Sequence, residues 1–113
     1  MSIDRTYWTT ENLAWLAGLL EGEGYIGRRK VFLRIRMRDE DVIARCSLFA
    51  IGHLRGPVEG NPAKGHAPMY EWTVTRTDHF VAILSAVYAN LGTRRKVRID
   101  QCFDALGLMT PSL

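Results

Sequence analysis

Cysteines, long apolar runs and linker-like stretches are scarce or missing in this chain of 113 residues. Its two cysteines, Cys46 and Cys102, lie far apart and belong to no CxxC or histidine-containing metal motif, so we expect reduced thiols in an intracellular protein. No apolar run approaches the roughly 20 residues of a membrane span, and no secretory signal is visible. Without a linker or repeat, residues 1–113 are interpreted as one domain with no membrane partner.

Acidic residues are absent from one strongly basic stretch. The net charge is only +3, from 15 Lys and Arg against 12 Asp and Glu. Six of the basic residues nevertheless fall between Arg28 and Arg38 with no acid among them, and four more stand at positions 94, 95, 96 and 98. Such clusters favour a polyanionic partner, although a solvated protein face produces the same pattern.

The spacing of apolar residues predicts a helix followed by a basic strand. Between residues 11 and 21, apolar side chains recur at i, i+3, i+4 and i+7, which is typical of one helix face, and Gly22 and Gly24 are expected to end the helix. Residues 31–38 instead alternate between apolar and mainly basic side chains. That pattern indicates a strand of a half-buried antiparallel sheet.

The remaining elements complete an α+β order of helix, strand, strand, helix, strand, strand, helix and helix. Such an order predicts a sheet with helices on one face and the other face open. The further strands are expected at residues 25–29, 53–58 and 69–75, and the further helices at residues 39–52, 79–91 (capped by Asp78) and 93–106.

Arginines on the open sheet face require an explanation. Arg34, Arg36 and Arg38 share one side of the predicted strand 31–38. A sheet or ribbon of this kind can enter the major groove of DNA, where arginine bridges guanine O6 and N7. From the pattern alone, a nucleic-acid-binding saddle and a plain solvated surface both remain open.

The stretch Leu16-Ala-Gly-Leu-Leu-Glu-Gly-Glu-Gly24 resembles the LAGLIDADG motif of homing endonucleases, with Glu at both acidic places and Gly between them. The order of elements is similar to that family's αββαββα core with an added C-terminal helix. Residues 38–42, 65–72 and 92–96 also resemble stretches of compact phage-type members. The resemblance implies a curved antiparallel sheet whose open face binds DNA. It also implies a site-specific endonuclease that hydrolyses phosphodiester bonds in both strands of a pseudo-palindromic site.

A single motif implies, by the same resemblance, a homodimer with the two motif helices crossing at its dyad. Small side chains allow such helices to approach closely. The alternative is that Ala17 and Gly18 pack against this domain's own sheet, and that Glu21 only accepts hydrogen bonds at the helix end. The expected dimer contacts are Ala14, Ala17, Gly18 and Glu21.

The resemblance implies that Glu23 is the metal-ligating acid and that the carbonyl oxygen of Gly22 is a further ligand. The expected cation is Mg²⁺, with Mn²⁺ as a substitute, because both favour oxygen ligands. Lys96 is our choice for the catalytic cation near the scissile phosphate, among three basic residues at positions 94–96. The alternative for Glu23 is an acid that merely ends a helix.

Double-stranded DNA is the partner implied by the resemblance, with no small-molecule substrate. The setting would be the cytoplasm or a bacterial host of a phage that encodes the protein. The expected DNA contacts are Arg28, Arg29, Lys30, Arg34, Arg36, Arg38, Lys64, His66, Thr73, Thr75, Arg94 and Arg95.

Two other functions compete with the endonuclease. The first is a non-cleaving nucleic-acid-binding protein on the same fold, either an intron RNA maturase or a DNA-binding regulator, since fold does not determine activity. The second is an unrelated basic α+β interaction protein in which the nine-residue match arises by chance. Retention of carboxylates at both acidic positions of the motif favours the enzyme.

Overall fold

The computed structural model describes residues 2–27, 30–58, 63, 65 and 67–111 of the chain. Its order of helices and strands is αββαββα followed by one more helix, which confirms the predicted α+β class. The elements are α1 (Thr10–Glu23), β1 (Gly24–Ile26), β2 (Leu33–Met37), α2 (Glu40–Cys46), a 3₁₀ turn (Ser47–Phe49), β3 (His53–Val58), β4 (Met69–Val74), α3 (Thr77–Val87), a second 3₁₀ turn (Tyr88–Asn90) and α4 (Thr93–Ala105).

The four strands form one antiparallel sheet in the order β1-β2-β4-β3, so β1 and β3 are its edges. Leu33 and Ile35 on β2 and Trp72 and Val74 on β4 are fully buried and alternate with more polar residues. They belong to one core cluster that also contains the buried residues of all four helices. The helices therefore cover one face of the sheet, and the other face is open, as the alternation predicts.

Helix α1 is longer than predicted. The side chain of Thr9 caps its start by accepting a hydrogen bond from the Asn12 N–H at 3.1 Å. The helix does not end at residue 21 but continues through Gly22 to Glu23. The reason lies far along the chain, because Arg95 donates to the carbonyl oxygen of Glu21 at 3.2 Å and thereby satisfies an acceptor in the last helical turn.

Helix α3 begins and ends earlier than predicted. It spans Thr77–Val87, and the next three residues form the second 3₁₀ turn, so the predicted end at residue 91 was wrong. The cap position is Arg76 rather than Asp78. The Asp78 carboxylate lies within the first turn, where it accepts from Arg76 Nε at 2.7 Å and from the His79 N–H at 3.0 Å.

Both cysteines are free and buried, in agreement with the predicted reduced thiols. Burial raises the pKa of Cys46 to about 12 and also raises the pKa of Cys102. The Cys102 thiol donates to the carbonyl oxygen of Gly27 at 3.2 Å. Because the thiolate is the reactive form, burial makes both thiols less nucleophilic than an exposed cysteine. In the described part of the chain, no helix has the length and apolar character that crossing a membrane requires.

Candidate nucleic-acid interface and acidic site

Glu21, the first acid of the motif, links α1 to α4. Its Oε1 accepts a hydrogen bond from the Gly92 N–H at 2.5 Å, at the N-cap of α4, and its Oε2 lies 3.8 Å from Arg95 Nε. A carboxylate is favourable there because the N-terminus of a helix carries partial positive charge. One of the two roles that the sequence left open for Glu21, hydrogen bonding at a helix end, is therefore present within one chain.

Glu23, the second acid, is the last residue of α1 and is exposed to solvent. Among the residues that the structure describes, no hydrogen bond or ion pair involves its carboxylate. Glu21 and Gly24 flank Gly22 and Glu23 in the chain. Arg95 donates to the carbonyl oxygens of these two flanking residues, at 3.2 Å and 2.7 Å respectively. The charge of Glu23 is therefore available to a ligand from outside the chain.

A divalent cation fits this site only in part. Carboxylate and backbone carbonyl oxygens are the ligand types that Mg²⁺ uses, and Glu23 and Gly22 carry both types. Over residues 2–27, 30–58, 63, 65 and 67–111, however, no three His, Cys, Asp or Glu residues are grouped as a metal cluster would require. Any cation at Glu23 would therefore take its other ligands from water, from a nucleic-acid phosphate or from a second copy of the chain.

The three basic residues at the start of α4 have different surroundings. Arg95 is occupied by the carbonyl oxygens and carboxylate at the end of α1. Lys96 lies with its Nζ 5.5 Å from the centre of the Tyr88 ring. Arg94 is exposed and lines a cleft of about 130 Å³ beside the edge strand β1, together with Arg98. Sequence could not choose among the three because the choice depends on which neighbour each one faces.

Arg98 has a structural contact that the sequence did not reveal. Its Nη1 donates to the carbonyl oxygen of Ile26 at 3.2 Å, while Arg95 donates to that of Gly24, so two arginines of α4 hold carbonyl groups of β1. Edge strands expose unpaired backbone groups that can pair with another chain, and these guanidinium groups satisfy two of them. Much of the positive charge at residues 94–98 therefore serves the fold.

The open sheet face is organised in two rows that follow the strand register. The first row crosses all four strands and the second crosses three, and both consist of side chains opposite the buried core residues. The first row is Tyr25, Arg34, Thr73 and His53. The second row is Arg36, Glu71 and Arg55.

Aromatic rings hold Arg34 at one end of this face. Its guanidinium carbon lies 5.3 Å from the centre of the Tyr25 ring and 5.9 Å from that of Phe32, and the two rings meet edge to face. Lys30 lies 5.4 Å from the Phe32 ring centre. These cation–π contacts restrict the arginine without neutralising its charge. Tyr25 was not among the predicted contacts, and its position opposite Arg34 becomes visible only from the register of β1 and β2.

Glu71 is the exception on the open face. The alternation of β4 places it outward, yet the residue is only 5% exposed. Its Oε1 lies 3.4 Å from Arg36 Nε and its Oε2 lies 3.8 Å from Arg55 Nη1. The two arginines come from different strands, β2 and β3, on either side of β4. Arg55 was also absent from the predicted contacts, since β3 shows no basic alternation in the sequence.

The small residues of α1 fall on two different faces. Ala17 is buried in the core, at 1% exposure, so its methyl group packs within the domain. Ala14 and Gly18 are exposed, and Gly22 continues their line one turn later. A Cβ atom added to Gly18 or to Gly22 would meet no atom within 4 Å. Nothing in the described part of the chain therefore requires glycine at these two positions.

The other predicted contacts divide into placed and undescribed residues. Arg38 and Thr75 are exposed just beyond β2 and β4, and Lys30 is exposed before β2. Predicted contacts that lie outside the described residues are Arg28, Arg29, Lys64 and His66.

In comparisons with known proteins, no family model and no curated protein matches this chain. The functional assignment therefore depends on the motif residues and on the geometry around them.

Proposed function

We propose that this protein is a site-specific double-strand DNA endonuclease of the LAGLIDADG type. It would act as a homodimer that hydrolyses phosphodiester bonds at a pseudo-palindromic site with Mg²⁺, or Mn²⁺ as a substitute. The observation that carries the proposal is the exposed carboxylate of Glu23, which has no partner among the described residues. It ends the motif helix immediately before β1, the strand that forms one edge of the arginine-bearing sheet face.

The chemistry assigns different tasks to the two acids of the motif. Glu23 and the carbonyl oxygen of Gly22 would hold the cation, which when bound stabilises charge on the phosphate oxygens and lowers the pKa of the attacking water. Glu21 holds the start of α4 through Gly92 and so positions the basic residues that follow it. Of these, Arg94 and Lys96 remain available for a phosphate, since Arg95 is bound to the end of α1.

The proposed dimer is supported by the two glycines in α1. Glycine inside a helix costs about 1 kcal/mol relative to alanine, and Gly18 and Gly22 occur where a Cβ would find open space. A cost of about 2 kcal/mol without any gain inside the chain is explained if another helix approaches this face closely. A second copy crossing here would also bring a second Glu23 to the site, which supplies ligands that one chain lacks.

DNA recognition is supported by the open sheet face. Arg34 and Arg36 lie side by side on β2, with Thr73 opposite Arg34 on the next strand. Guanidinium groups at this spacing can donate to base edges in the major groove, and Lys30 and Arg38 at the two ends can contact phosphates. We infer from the two free cysteines and from the motif resemblance that the protein works inside a cell, for example in the bacterial host of a phage.

The deciding experiment selects cleaved sites from a randomised duplex library with Mg²⁺, and then compares Glu23→Gln with the unaltered protein on the selected site. The amide keeps size and hydrogen bonding but removes the charge that a hard cation needs. We expect cleavage to fall by several orders of magnitude while DNA binding persists. Glu11→Gln, at an exposed acid in the first turn of the same helix, is the matched control and should cut normally.

Two outcomes would contradict the proposed enzyme. If Glu23→Gln cuts the selected site at nearly the normal rate, Glu23 does not hold the cation. If the unaltered protein binds a selected duplex tightly but never cuts it with Mg²⁺ or Mn²⁺, a non-cleaving regulator or maturase becomes the better assignment. Glu23→Asp, which restores the acid usual in the motif, should retain cleavage.

A further inference from the structure

A buried acid on an otherwise basic, open sheet face is the feature of this molecule that the endonuclease proposal leaves unexplained. Glu71 is 5% exposed although none of the helices in the described part of the chain covers its side of the sheet. Burying a carboxylate is costly unless positive groups compensate it, and here Arg36 and Arg55 do so from the two neighbouring strands. If position 71 carried an uncharged side chain, as position 73 on the same strand does with threonine, neither arginine would have a carboxylate partner.

We propose that Glu71 is a specificity-determining residue, because its carboxylate attracts Arg36 and Arg55 as ion pairs and keeps their guanidinium groups beside it on the open face as donors to base edges. The inference rests on the proposed recognition of DNA by this face, but it does not depend on cleavage. Arginine recognises a base pair through two hydrogen bonds, usually to guanine O6 and N7. That recognition requires a fixed guanidinium plane, whereas attraction to phosphates requires only the charge.

Within the described residues, these contacts leave donors of both arginines unused. Arg36 approaches Glu71 with its Nε, at 3.4 Å, and Arg55 does so with its Nη1, at 3.8 Å. In each case other N–H groups of the guanidinium remain for a base. The side chain of Arg36 is 38% exposed and that of Arg55 is 70% exposed, so both can be reached from the open face.

The carboxylate of Glu71 also lowers the net positive charge of the second row. Two guanidinium groups and one carboxylate leave a net charge of +1 on the second row, instead of +2 from the arginines alone. Non-specific binding follows the number of phosphates that are neutralised, so the carboxylate lowers affinity for every duplex alike. Arg34, held by aromatic rings that carry no charge, keeps its full contribution. Glu71 therefore lowers the affinity of the face for DNA of any sequence and raises its selectivity for particular bases at Arg36 and Arg55.

The experiment measures binding of the selected duplex and of a scrambled duplex by fluorescence anisotropy over a series of salt concentrations, without divalent metal. Glu71→Gln should bind the scrambled duplex several-fold more tightly, with a salt dependence steeper by about one phosphate contact. The ratio of selected to scrambled affinity should fall about tenfold, which is the loss of one good base contact. Asp41→Asn removes the same charge from an exposed position on α2 and should leave that ratio unchanged.

A second pair of variants tests positioning separately from charge and from folding. Glu71→Gln combined with Arg55→Gln restores the net charge of the row, so scrambled-duplex affinity should return to normal while the ratio stays low. Arg55→Gln alone changes a side chain that is 70% exposed, so the fold should survive even if Glu71→Gln does not fold. It should weaken the scrambled duplex several-fold, because it lowers the net charge of the row by one, and it should weaken the selected duplex about tenfold more than that.

The outcomes separate this inference from the proposed function. If the unaltered protein discriminates between the duplexes and Glu71→Gln keeps that discrimination, Glu71 is only a structural acid and the inference is wrong. Equal weakening of both duplexes by Arg55→Gln would make Arg55 a phosphate contact and would also overturn it. If the unaltered protein binds neither duplex, the proposed function fails and the inference fails with it.

Discussion

Replacement of Gly18 by leucine should stabilise the single chain and weaken its self-association. Gly18 lies in the middle of α1, is exposed, and offers open space where a Cβ would be placed. Leucine is a strong helix former, so the free energy of unfolding of the monomer should rise by about 1 kcal/mol. For a domain of this size that corresponds to a melting temperature about 4 °C higher. The gain should appear only where the chain is dilute enough to be monomeric.

In a dimer built on this face, two added leucine side chains would be forced between closely approaching helices. Overpacking costs about 1–3 kcal/mol for each side chain, so the dimer should dissociate at least about thirtyfold more readily. Analytical ultracentrifugation over a range of concentrations measures this constant, and thermal melts of dilute protein measure the monomer. Opposite signs of the two effects are the signature of an interface, because a residue needed only for the fold cannot produce both.

The matched control is Ser85→Leu, at an exposed position in the last turn of α3, which should leave association unchanged. Met109→Ser removes the most exposed of the large apolar side chains that the structure describes, at 76%, and should also leave the dimer intact. A Gly18→Leu protein that dimerises normally would refute the α1 interface. A less stable monomer would refute the claim that space is available at Gly18.

Three further predictions concern separate contacts. Glu21→Gln removes the half-exposed carboxylate that accepts a hydrogen bond from the Gly92 N–H, and it should lower the free energy of unfolding in urea by about 1 kcal/mol. If Glu21→Gln loses as much cleavage as Glu23→Gln, the assignment of a structural role to Glu21 and a metal-binding role to Glu23 is wrong. Burial raises the pKa of Cys46 from 9.0 to about 12, so between those pH values this thiol ionises in the unfolded chain but not in the folded one. The free energy of unfolding should therefore fall as pH rises, by up to about 1.4 kcal/mol per pH unit, relative to that of Cys46→Ala. If the two proteins give parallel curves of unfolding free energy against pH, burial does not shift the pKa of this thiol. Arg34→Ala should reduce discrimination between bases at one position of the DNA site and at its symmetry mate by about 1–3 kcal/mol, measured by binding to duplexes that differ at single base pairs. Lys64→Ala should instead weaken binding to all these duplexes equally. The reverse pattern would make Lys64 the base contact and Arg34 the phosphate contact.

Much of the fold could be predicted because its strongest signals are local. The helical spacing before residue 21 and the alternation of residues 31–38 each report a single face of one element, and both elements formed as expected. Boundaries were less predictable because they depend on distant partners. Helix α1 extends to Glu23 with the help of Arg95, which is 74 residues from the Glu21 carbonyl that it binds.

The sequence could predict a residue of the candidate site only where the chemical type of that residue, and not its neighbours in the fold, indicates its role. A free acid at the end of a motif helix can be found in sequence, and Glu23 is exposed as such a role requires. The role of Glu71 could not be found, because its burial depends on arginines from two other strands that become neighbours only through the register of the sheet. Its outward position in the alternation would otherwise indicate an ordinary solvated acid.

The two acids of the motif have different surroundings because of helix geometry. Residues two apart on an α-helix point about 200° away from each other, so Glu21 and Glu23 cannot face the same neighbour. Glu21 is turned toward Gly92 and Arg95, where its charge is already used at the start of α4. A cation bound there would compete with those donors, whereas one at Glu23 would displace only water. The same helix can therefore join α4 through one carboxylate and offer the other to the divalent cation that we propose.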